Sequence, residues 1–339
     1  MNLQALNAVA EAMVTPGKGI LAADESSGTI KKRFDAIGVE STEDNRRDYR
    51  ELLFRSDAMK DFISGVILYE ETLYQNAVDG TPLVDLITAA GSVPGIKVDQ
   101  GAKPMAGFPG ETITEGLDGL RERLAKYHAK GARFAKWRAV IDIADGIPTW
   151  GAVKANAQAL ARYAALCQEA EIVPIVEPEV LMDGAHDIDR CDEVTRWVLQ
   201  TVFQELYDQR IALEGMILKP NMVICGKKCG RQSSVQQVAE RTVAALKATV
   251  PSAVPGVAFL SGGQTDEQAT ANLDAMNKIG GLPWKLTFSY GRALQAAPQK
   301  AWSGKRENVA AAQQAFVERA RLNGLASRGR YEGERAQAA

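Results

Sequence analysis

RFAKWRAV (133–140) and IVPIVEPEV (172–180) flank the stretch VKANAQALARYAALCQEA (153–170) in this chain. The flanking runs are short, apolar and rich in β-branched residues, which is typical of buried strands. The middle stretch is rich in alanine and repeats apolar residues three and four positions apart, which predicts a helix. A helix between two buried strands indicates a parallel pair joined by a right-handed crossover.

The same alternation extends outward in both directions. Eight candidate strands occur in all: GILAAD (19–24), SGVILYE (64–70), GIKVDQ (95–100), RFAKWRAV (133–140), IVPIVEPEV (172–180), LEGMILKPN (213–221), GVAFLSGG (256–263) and KLTFSYG (285–291). Eight strand–helix units favour a closed barrel over an open sheet. We therefore predict the α/β class and a single (β/α)8 TIM barrel as one domain over residues 1–339. An N-terminal helix (about 1–15), a helix from about Glu307 to Leu322 and a short flexible C-terminal tail (about 324–339) complete the prediction.

Composition excludes several classes of protein. The chain has 40 basic and 42 acidic residues, a balance that favours neither nucleic acid nor an anionic membrane as a partner. Residues 1–14 carry no Lys or Arg, so they do not resemble a signal peptide. No apolar run reaches the roughly 20 residues that a membrane-spanning helix needs. We expect a cytoplasmic protein whose four cysteines are reduced thiols, because CGKKC (225–229) lacks the two-residue spacing of zinc or redox motifs.

Charged residues stand at the ends of five of the predicted strands, where barrels of this kind carry their active sites. They are Asp24, Lys97, Asp99, Lys136, Arg138, Glu177, Glu179 and Lys219. A network of structural salt bridges would explain one such charge. Charges on five strands favour a hydrated, functional barrel mouth, because an unpaired charge in a core costs several kcal/mol.

A lysine in such a mouth can attack a ketone once its amine is uncharged, and burial beside a second cation favours the uncharged form. The resulting protonated imine withdraws electrons and so allows an adjacent carbon–carbon bond to break. Lys219 and Lys136 both meet these requirements, and the residues alone do not separate them. Glu177 and Asp24 are the candidate proton carriers.

The last two predicted strands end in SGGQ (261–264) and SYGR (289–292). Glycine N–H groups, two hydroxyls and a guanidinium are well suited to binding phosphate, and this end of a barrel is a recurrent phosphate site. A second anion site is predicted from Ser26, Thr29 and Arg33 together with Lys97. Helix capping is the alternative role for the two hydroxyls in this second set.

Seven ordered strings now identify a resemblance. GKGILAADESSG, GIKVDQG, FAKWRAV, VPIVEPEVL, LEGMILKPNMV, FLSGGQ and LTFSYGRALQ resemble the core motifs of class I fructose-1,6-bisphosphate aldolases, from about Leu6 to Tyr331. The resemblance implies a lyase of glycolysis and gluconeogenesis. Such enzymes reversibly cleave fructose 1,6-bisphosphate to dihydroxyacetone phosphate and glyceraldehyde 3-phosphate. It also implies a homotetramer that needs no cofactor and no metal.

The resemblance further implies roles for individual residues. Lys219 would form the Schiff base, Glu177 would be the acid and base for forming and dehydrating the carbinolamine, and Asp24 would take the hydroxyl proton during cleavage. Lys136 would keep these carboxylates ionised, with Glu179 in support. The residues implied to bind the phosphates and sugar hydroxyls are Ser261, Gly262, Gly263, Ser289, Gly291 and Arg292 on the ketone side, and Ser26, Thr29, Arg33, Lys97 and Arg138 on the other.

The C-terminal region departs from the pattern of animal and plant members, which end in a tyrosine that assists proton exchange between imine and enamine. Tyr331 is the last tyrosine here, and it matches a position upstream of that terminal residue. We therefore expect Glu177 or a bound phosphate to perform this proton transfer. The preference between fructose 1,6-bisphosphate and fructose 1-phosphate stays open.

Three other functions compete with this one. A metal-dependent aldolase needs several histidine ligands, whereas this chain has only His128 and His186. Another Schiff-base barrel enzyme, such as a transaldolase, would not need two phosphate sites. A non-catalytic barrel scaffold would not need a lysine–carboxylate cluster in its mouth.

Overall fold

The computed structural model describes residues 1–333. The strands within this range are β1 (Gly19–Ala23), β2 (Ile63–Leu68), β3 (Val93–Lys97), β4 (Ala102–Pro104), β5 (Thr112–Thr114), β6 (Phe134–Ile141), β7 (Val173–Val180), β8 (Ile217–Leu218), β9 (Gly256–Phe259) and β10 (Lys285–Tyr290). The α-helices are α1 (Leu3–Met13), α2 (Ser27–Asp35), α3 (Glu43–Phe54), α4 (Asp57–Phe62), α5 (Glu70–Tyr74), α6 (Leu83–Ala89), α7 (Leu120–Ala129), α8 (Trp150–Glu169), α9 (Ile188–Asp208), α10 (Val235–Thr249), α11 (Asp266–Ile279), α12 (Arg292–Trp302) and α13 (Val309–Ala326). Two short 3-10 helices cover Leu213–Gly215 and Arg306–Asn308.

Eight parallel strands close into a barrel in the order β1-β10-β9-β8-β7-β6-β3-β2. The predicted (β/α)8 fold is confirmed, and each of the eight predicted strands overlaps one barrel strand. The antiparallel hairpin of β4 and β5 was not predicted; it lies in the connection between β3 and β6. The sixth predicted strand is reduced to Ile217–Leu218, because Leu213–Gly215 forms a 3-10 turn and Pro220 has no N–H to donate to a ladder.

The inside of the barrel is apolar at the end where the strands begin. Inward-facing side chains of the strands, such as Ile20, Phe134 and Ile175, form one buried cluster with Leu6 and Met13 of α1. The helix is tied there by a hydrogen bond from the Ser64 hydroxyl, at the start of β2, to the Met13 carbonyl oxygen (2.6 Å). Helix α1 closes this end, and the cavity that is lined by charged side chains lies at the opposite end.

A second and larger core fills the space between the strands and the surrounding helices. Trp137 of β6 points outward into it and stacks on Tyr163 of α8, with ring centroids 5.6 Å apart. Alternate side chains of β6 therefore point to opposite faces of the strand and pack in different environments. Trp137 supports the helix layer, while Phe134 and Lys136 face the interior.

The segment after α13 returns to the beginning of the chain. The Gly17 N–H donates to the Ser327 hydroxyl (3.0 Å), and Arg328 donates to the Pro16 carbonyl oxygen (2.9 Å). The Tyr331 N–H donates to the Asp274 carboxylate (2.8 Å). The expected tail therefore begins inside α13, and the part of it at 334–339 lies outside the described residues.

Over residues 1–333, every helix is too short or too polar to cross a bilayer. All four cysteines lie within this range and are free thiols, as expected.

Gly95 of β3 leaves space for the Phe134 ring, so a larger residue at this position should destabilise the fold. A Cβ on Gly95 would stand 2.3 Å from that ring, which is fully buried and is also in contact with Gly65. We expect Gly95→Ala to lower the free energy of unfolding by about 1–3 kcal/mol through overpacking. Chemical denaturation monitored by circular dichroism would measure the change.

The matched control is Gly28→Ala in α2, where an added Cβ would meet no atom within 4 Å. This substitution should be neutral or should stabilise the protein by up to about 1 kcal/mol, because it lowers the entropy of the unfolded chain. Equal effects of the two substitutions would contradict the packing of Phe134 between the two strand glycines.

Candidate active site

The polar end of the barrel opens into a cavity of about 310 Å³. Its lining includes most of the expected site residues: Asp24, Ser26, Thr29, Arg33, Lys97, Lys136, Arg138, Glu179, Lys219, Ser261, Gly262, Ser289, Gly291 and Arg292. Two larger cavities, of about 770 and 910 Å³, lie beside α8 and at the start of α11 and contain no buried lysine. The chemistry therefore concentrates in the smallest of these three cavities.

Two lysines and two carboxylates form the centre of the site. The Lys136 Nζ lies 2.7 Å from an Asp24 carboxylate oxygen and 3.6 Å from Glu177 Oε2. The Lys219 Nζ lies 3.2 Å from Glu177 Oε1. Glu177 does not line the cavity itself, but its carboxylate lies between the Lys136 and Lys219 amines. Lys136, Glu177 and Lys219 are all buried, so each charge depends on its neighbours rather than on water.

The ionisation of this centre is set by charge pairing. Burial by itself would lower the pKa of Lys136, but Asp24 and Glu177 raise it above its usual range. Burial by itself would raise the pKa of Asp24, but Lys136 and Lys219 lower it well below its usual range. Lys136 therefore stays protonated and Asp24 stays ionised at neutral pH.

Further charged side chains form ion pairs around this centre, beginning on the neighbouring strands β6 and β7. Arg138 is paired with Glu177 along the ladder, and its guanidinium forms a short ion pair with Glu179. On the neighbouring strand β3, Lys97 lies 3.8 Å from Asp99. Asp99 accepts hydrogen bonds from the Gly101 and Arg138 N–H groups, so its carboxylate joins the loop after β3 to strand β6. Arg138, Glu179, Lys97 and Asp99 all line the cavity.

The glycine turn after β9 needs residues without a side chain. A Cβ on Gly262 would lie 2.8 Å from the Met182 side chain and 3.0 Å from the Glu179 carboxylate. Gly263 has a positive φ of 76°, and a Cβ there would lie 2.0 Å from Met182. Gly263 lines the adjacent surface cavity rather than the central one. The turn thus exposes backbone N–H groups that larger residues would hide.

Facing this turn, the Ser289 hydroxyl of β10 is buried and has no hydrogen-bond partner among residues 1–333. Arg292, the first residue of α12, donates to the Gln264 carbonyl oxygen and lies 3.5 Å from Asp266. A buried hydroxyl without a partner carries a desolvation cost that a bound oxyanion would remove. This side of the cavity is therefore suited to binding a phosphate group.

The second expected anion set surrounds the start of α2. Ser26 is the N-cap residue of α2, yet its side chain forms no capping hydrogen bond; its hydroxyl lies 3.2 Å from that of Thr29. The two hydroxyls therefore face the cavity instead of closing the helix. Arg33 lies closer to the first set: a Cβ on Gly291 would stand 3.6 Å from its Nη2 atom. The two expected anion sets thus meet at Arg33.

Glu25 was missed from the sequence, and Asp99 was named only as a charged strand end without a role. Glu25 lines the cavity and forms an ion pair with Arg33, and Asp99 anchors the β3 loop against β6. Asp99 was named from its place at a predicted strand end, but its hydrogen bonds with Gly101 and Arg138 were not predicted. Glu25 follows Asp24 directly, and an alternating strand would have pointed it away from the cavity.

Among the described residues, no cluster of three or more His, Cys, Asp or Glu side chains is arranged to hold a metal ion. What the cavity offers is an amine, carboxylates that can carry protons, and groups for binding phosphate. This combination is suited to imine chemistry on a phosphorylated carbonyl compound.

Comparison with known protein families agrees with this chemistry. The family model described as glycolytic class-I fructose-bisphosphate aldolase matches residues 5–339. A probable fructose-bisphosphate aldolase class 1 of Xanthomonas axonopodis pv. citri is 57% identical over 334 residues, covering 98% of this chain and 100% of that protein. Fructose-bisphosphate aldolase 4, cytosolic, of Arabidopsis thaliana is 56% identical over 321 residues, covering 94% of this chain and 82% of that protein.

A solved structure is similar over the same extent. It is a ternary co-crystal structure of fructose-bisphosphate aldolase from Plasmodium falciparum in complex with TRAP and a small-molecule inhibitor. The two chains are 50% identical and superpose with a TM-score of 0.96, covering 98% of this chain and 96% of the other.

The pairing of Asp24 with Lys136 predicts a pH dependence of stability. The unfolded chain binds a proton at this residue below about pH 3.9, whereas the folded carboxylate, with its lowered pKa, stays ionised. Stability from this pair is therefore complete above that pH and is lost as the pH falls below it, by up to about 1.4 kcal/mol per pH unit. Asp24→Asn should lack this loss, so the stability curves of the two proteins should converge in acid.

Urea denaturation between pH 5 and pH 2 would measure both curves. Asp61→Asn, at an exposed position in α4, is the matched control for the loss of one aspartate. Parallel curves for the parent protein and Asp24→Asn would contradict the ion pair.

Proposed function

Since the chain belongs to the class I fructose-bisphosphate aldolase family, we infer that it cleaves fructose 1,6-bisphosphate reversibly to dihydroxyacetone phosphate and glyceraldehyde 3-phosphate. The enzyme is a carbon–carbon lyase, and we propose that it works through a Schiff base on Lys219. One observation carries this proposal. Lys136 is held by two carboxylates, while Lys219 faces the cavity beside one carboxylate that it shares.

The choice between the two lysines follows from their partners. A nucleophilic amine must lose its proton, and the raised pKa of Lys136 opposes that loss. Lys219 has its neighbour Glu177 at 3.2 Å, close enough to accept a proton from the amine. The Lys136 ammonium then acts as a fixed cation that keeps Asp24 ionised.

We propose the following order of events. The Lys219 amine attacks the ketone carbon, and the carbinolamine loses water after Glu177 gives a proton to its hydroxyl group. The protonated imine draws electrons from the neighbouring carbon–carbon bond. Asp24 takes the proton of the hydroxyl on the far side of that bond, so that glyceraldehyde 3-phosphate leaves as an aldehyde. The enamine that stays on Lys219 is protonated at carbon and then hydrolysed to dihydroxyacetone phosphate.

Glu177 is suited to carry more than one of these protons. Its Oε1 atom faces Lys219, while its Oε2 atom has no hydrogen bond from any of residues 1–333. A buried carboxylate with one oxygen free of hydrogen bonds can exchange a proton without breaking its other contact. We propose that Glu177, or the phosphate of the bound substrate, also protonates the enamine carbon.

The phosphates would bind on the two sides of the cavity. Ser261, Ser289 and the N–H groups of the glycine turns suit the ketone-side phosphate, with Arg292 supplying charge. Ser26, Thr29, Lys97 and Arg138 suit the second phosphate and the sugar hydroxyls. Arg33, which borders Gly291, is suited to the ketone-side phosphate as well.

We also propose the cellular context that the family implies. The protein would work in glycolysis and gluconeogenesis in the cytoplasm, in line with the cytosolic relative from Arabidopsis thaliana. It would form a homotetramer from single-domain subunits. The exposed Trp150 ring stacks on Trp197, with ring centroids 6.2 Å apart, and offers an aromatic surface for contact with a second copy.

Trapping of the imine tests the function directly. Borohydride in the presence of dihydroxyacetone phosphate should inactivate the enzyme irreversibly, and peptide mass mapping should find the adduct on Lys219. Lys219→Met should lower kcat by at least about 10⁴-fold, because the nucleophile is lost. An adduct on Lys136 would overturn the assignment, and activity that chelators abolish would argue against imine chemistry.

Phosphate binding by Arg292 predicts a change in KM. Arg292→Ala should raise KM for fructose 1,6-bisphosphate about tenfold, the effect of losing one charge-assisted hydrogen bond. Steady-state kinetics would measure it, with Arg306→Ala as the control, since Arg306 is an exposed arginine of the Arg306–Asn308 turn. An unchanged KM would remove Arg292 from the phosphate site.

A further inference from the structure

At the cavity wall, the two carboxylate oxygens of Glu25 form ion pairs with two different arginines. One oxygen forms a short ion pair with Arg33, which lines the cavity. The other oxygen lies 2.5 Å from a guanidinium nitrogen of Arg50, on α3. Arg50 is 2% exposed and is not part of the cavity wall. A buried arginine therefore stands one carboxylate away from a residue that faces the substrate.

A glutamine amide completes this cluster. The Gln295 Nε2 atom donates to Glu25 (2.9 Å) and to the Ala22 carbonyl oxygen at the end of β1 (2.7 Å). Its Oε1 atom accepts from Arg50 and from the Tyr49 hydroxyl, both at 3.2 Å. Gln295 is fully buried on α12, so the amide connects α3, α12 and β1 in one network. This network fixes the orientation of the Glu25 carboxylate.

The division of the carboxylate has a consequence for Arg33. A carboxylate without other partners pairs with a guanidinium through both oxygens at once. Here Arg50 holds the second oxygen, so Arg33 contacts Glu25 through its Nη1 atom. Its Nη2 atom is then turned toward the Gly291 backbone at the cavity wall. The net charge of the cluster also favours anion binding, because two arginines and one glutamate leave one positive charge.

We propose that Arg50 is a positioning residue for substrate binding: by holding Glu25, it keeps the Arg33 guanidinium turned toward the phosphate of the sugar. The proposal rests on the proposed function, because it takes a sugar phosphate as the ligand of Arg33. Without Arg50, Glu25 would pair with Arg33 through both oxygens and would neutralise its charge. Arg50 thus supports phosphate binding from a buried position outside the cavity.

The test is a double-mutant cycle of Arg50→Met and Arg33→Met with steady-state kinetics on fructose 1,6-bisphosphate. Arg50→Met alone should raise KM about tenfold while kcat changes by less than about twofold, because a ground-state contact to phosphate is weakened. In the Arg33→Met background, Arg50→Met should change KM no further, since its effect passes through Arg33. Independent, multiplying effects on KM would overturn the proposal, and so would a fall in kcat with KM unchanged.

Two further variants serve as controls for the Arg50→Met result. Arg47→Met removes another arginine of α3, one that pairs with Asp44 and Asp48 near the surface, and it should leave KM unchanged. Arg50→Lys keeps the charge but cannot bond both Glu25 and Gln295 as a guanidinium does, so its KM should lie between those of the parent and Arg50→Met. If Arg50→Met fails to fold by circular dichroism, the cycle with Arg50→Lys decides in its place.

Failure of the proposed function would be visible separately. It would appear in the parent protein as the absence of a borohydride adduct on Lys219. Failure of the positioning role alone would leave that adduct intact and would change only the pattern of KM values in the cycle.

Discussion

The sharing of Glu177 between two buried lysines is the interaction on which the rest of the active site depends. Two amines at one barrel mouth would repel each other and would each be costly to bury. Glu177 joins them, and Asp24 then adds a second carboxylate to Lys136 alone. The asymmetry of this arrangement makes one lysine a permanent cation and leaves the other beside a single proton acceptor. The proposed chemistry on Lys219 therefore rests on which amine has the extra partner.

The barrel can hold these charges because its interior is divided along its axis. Helix α1 closes the end where the strands begin, and the inward side chains near it are apolar. On β6 the change occurs within two residues: the Phe134 ring lies against Gly65 and Gly95, and Lys136 on the same face already meets Asp24. The apolar layer lies on one side of the ion pairs, and Asp24, Lys136 and Lys219 line the cavity on the other.

The sequence was sufficient to predict the features that depend on local pattern. Strand runs, the period of two that puts Lys136 and Arg138 on one face, and glycine turns after β9 and β10 all arise from neighbouring residues. Features that depend on distant contacts could not be predicted. The orientation of Glu25, for example, is set by Arg50 of α3 and Gln295 of α12, which lie far from it in the chain. Likewise, β8 is short because a 3-10 turn precedes it and Pro220, which follows it closely, has no N–H for the ladder.

The cations around the cavity can be ordered by the carboxylates that hold them, and this order matches their proposed tasks. Lys136 has two carboxylate partners and serves as a fixed charge. Lys219 shares one carboxylate with Lys136 and is the proposed nucleophile. Arg33 shares Glu25 with the buried Arg50, which leaves a net positive charge for an anion. The barrel has a nearly balanced overall charge, and an unequal distribution of a few carboxylates among its cations thus supports the separate sites that we propose for covalent chemistry and for phosphate.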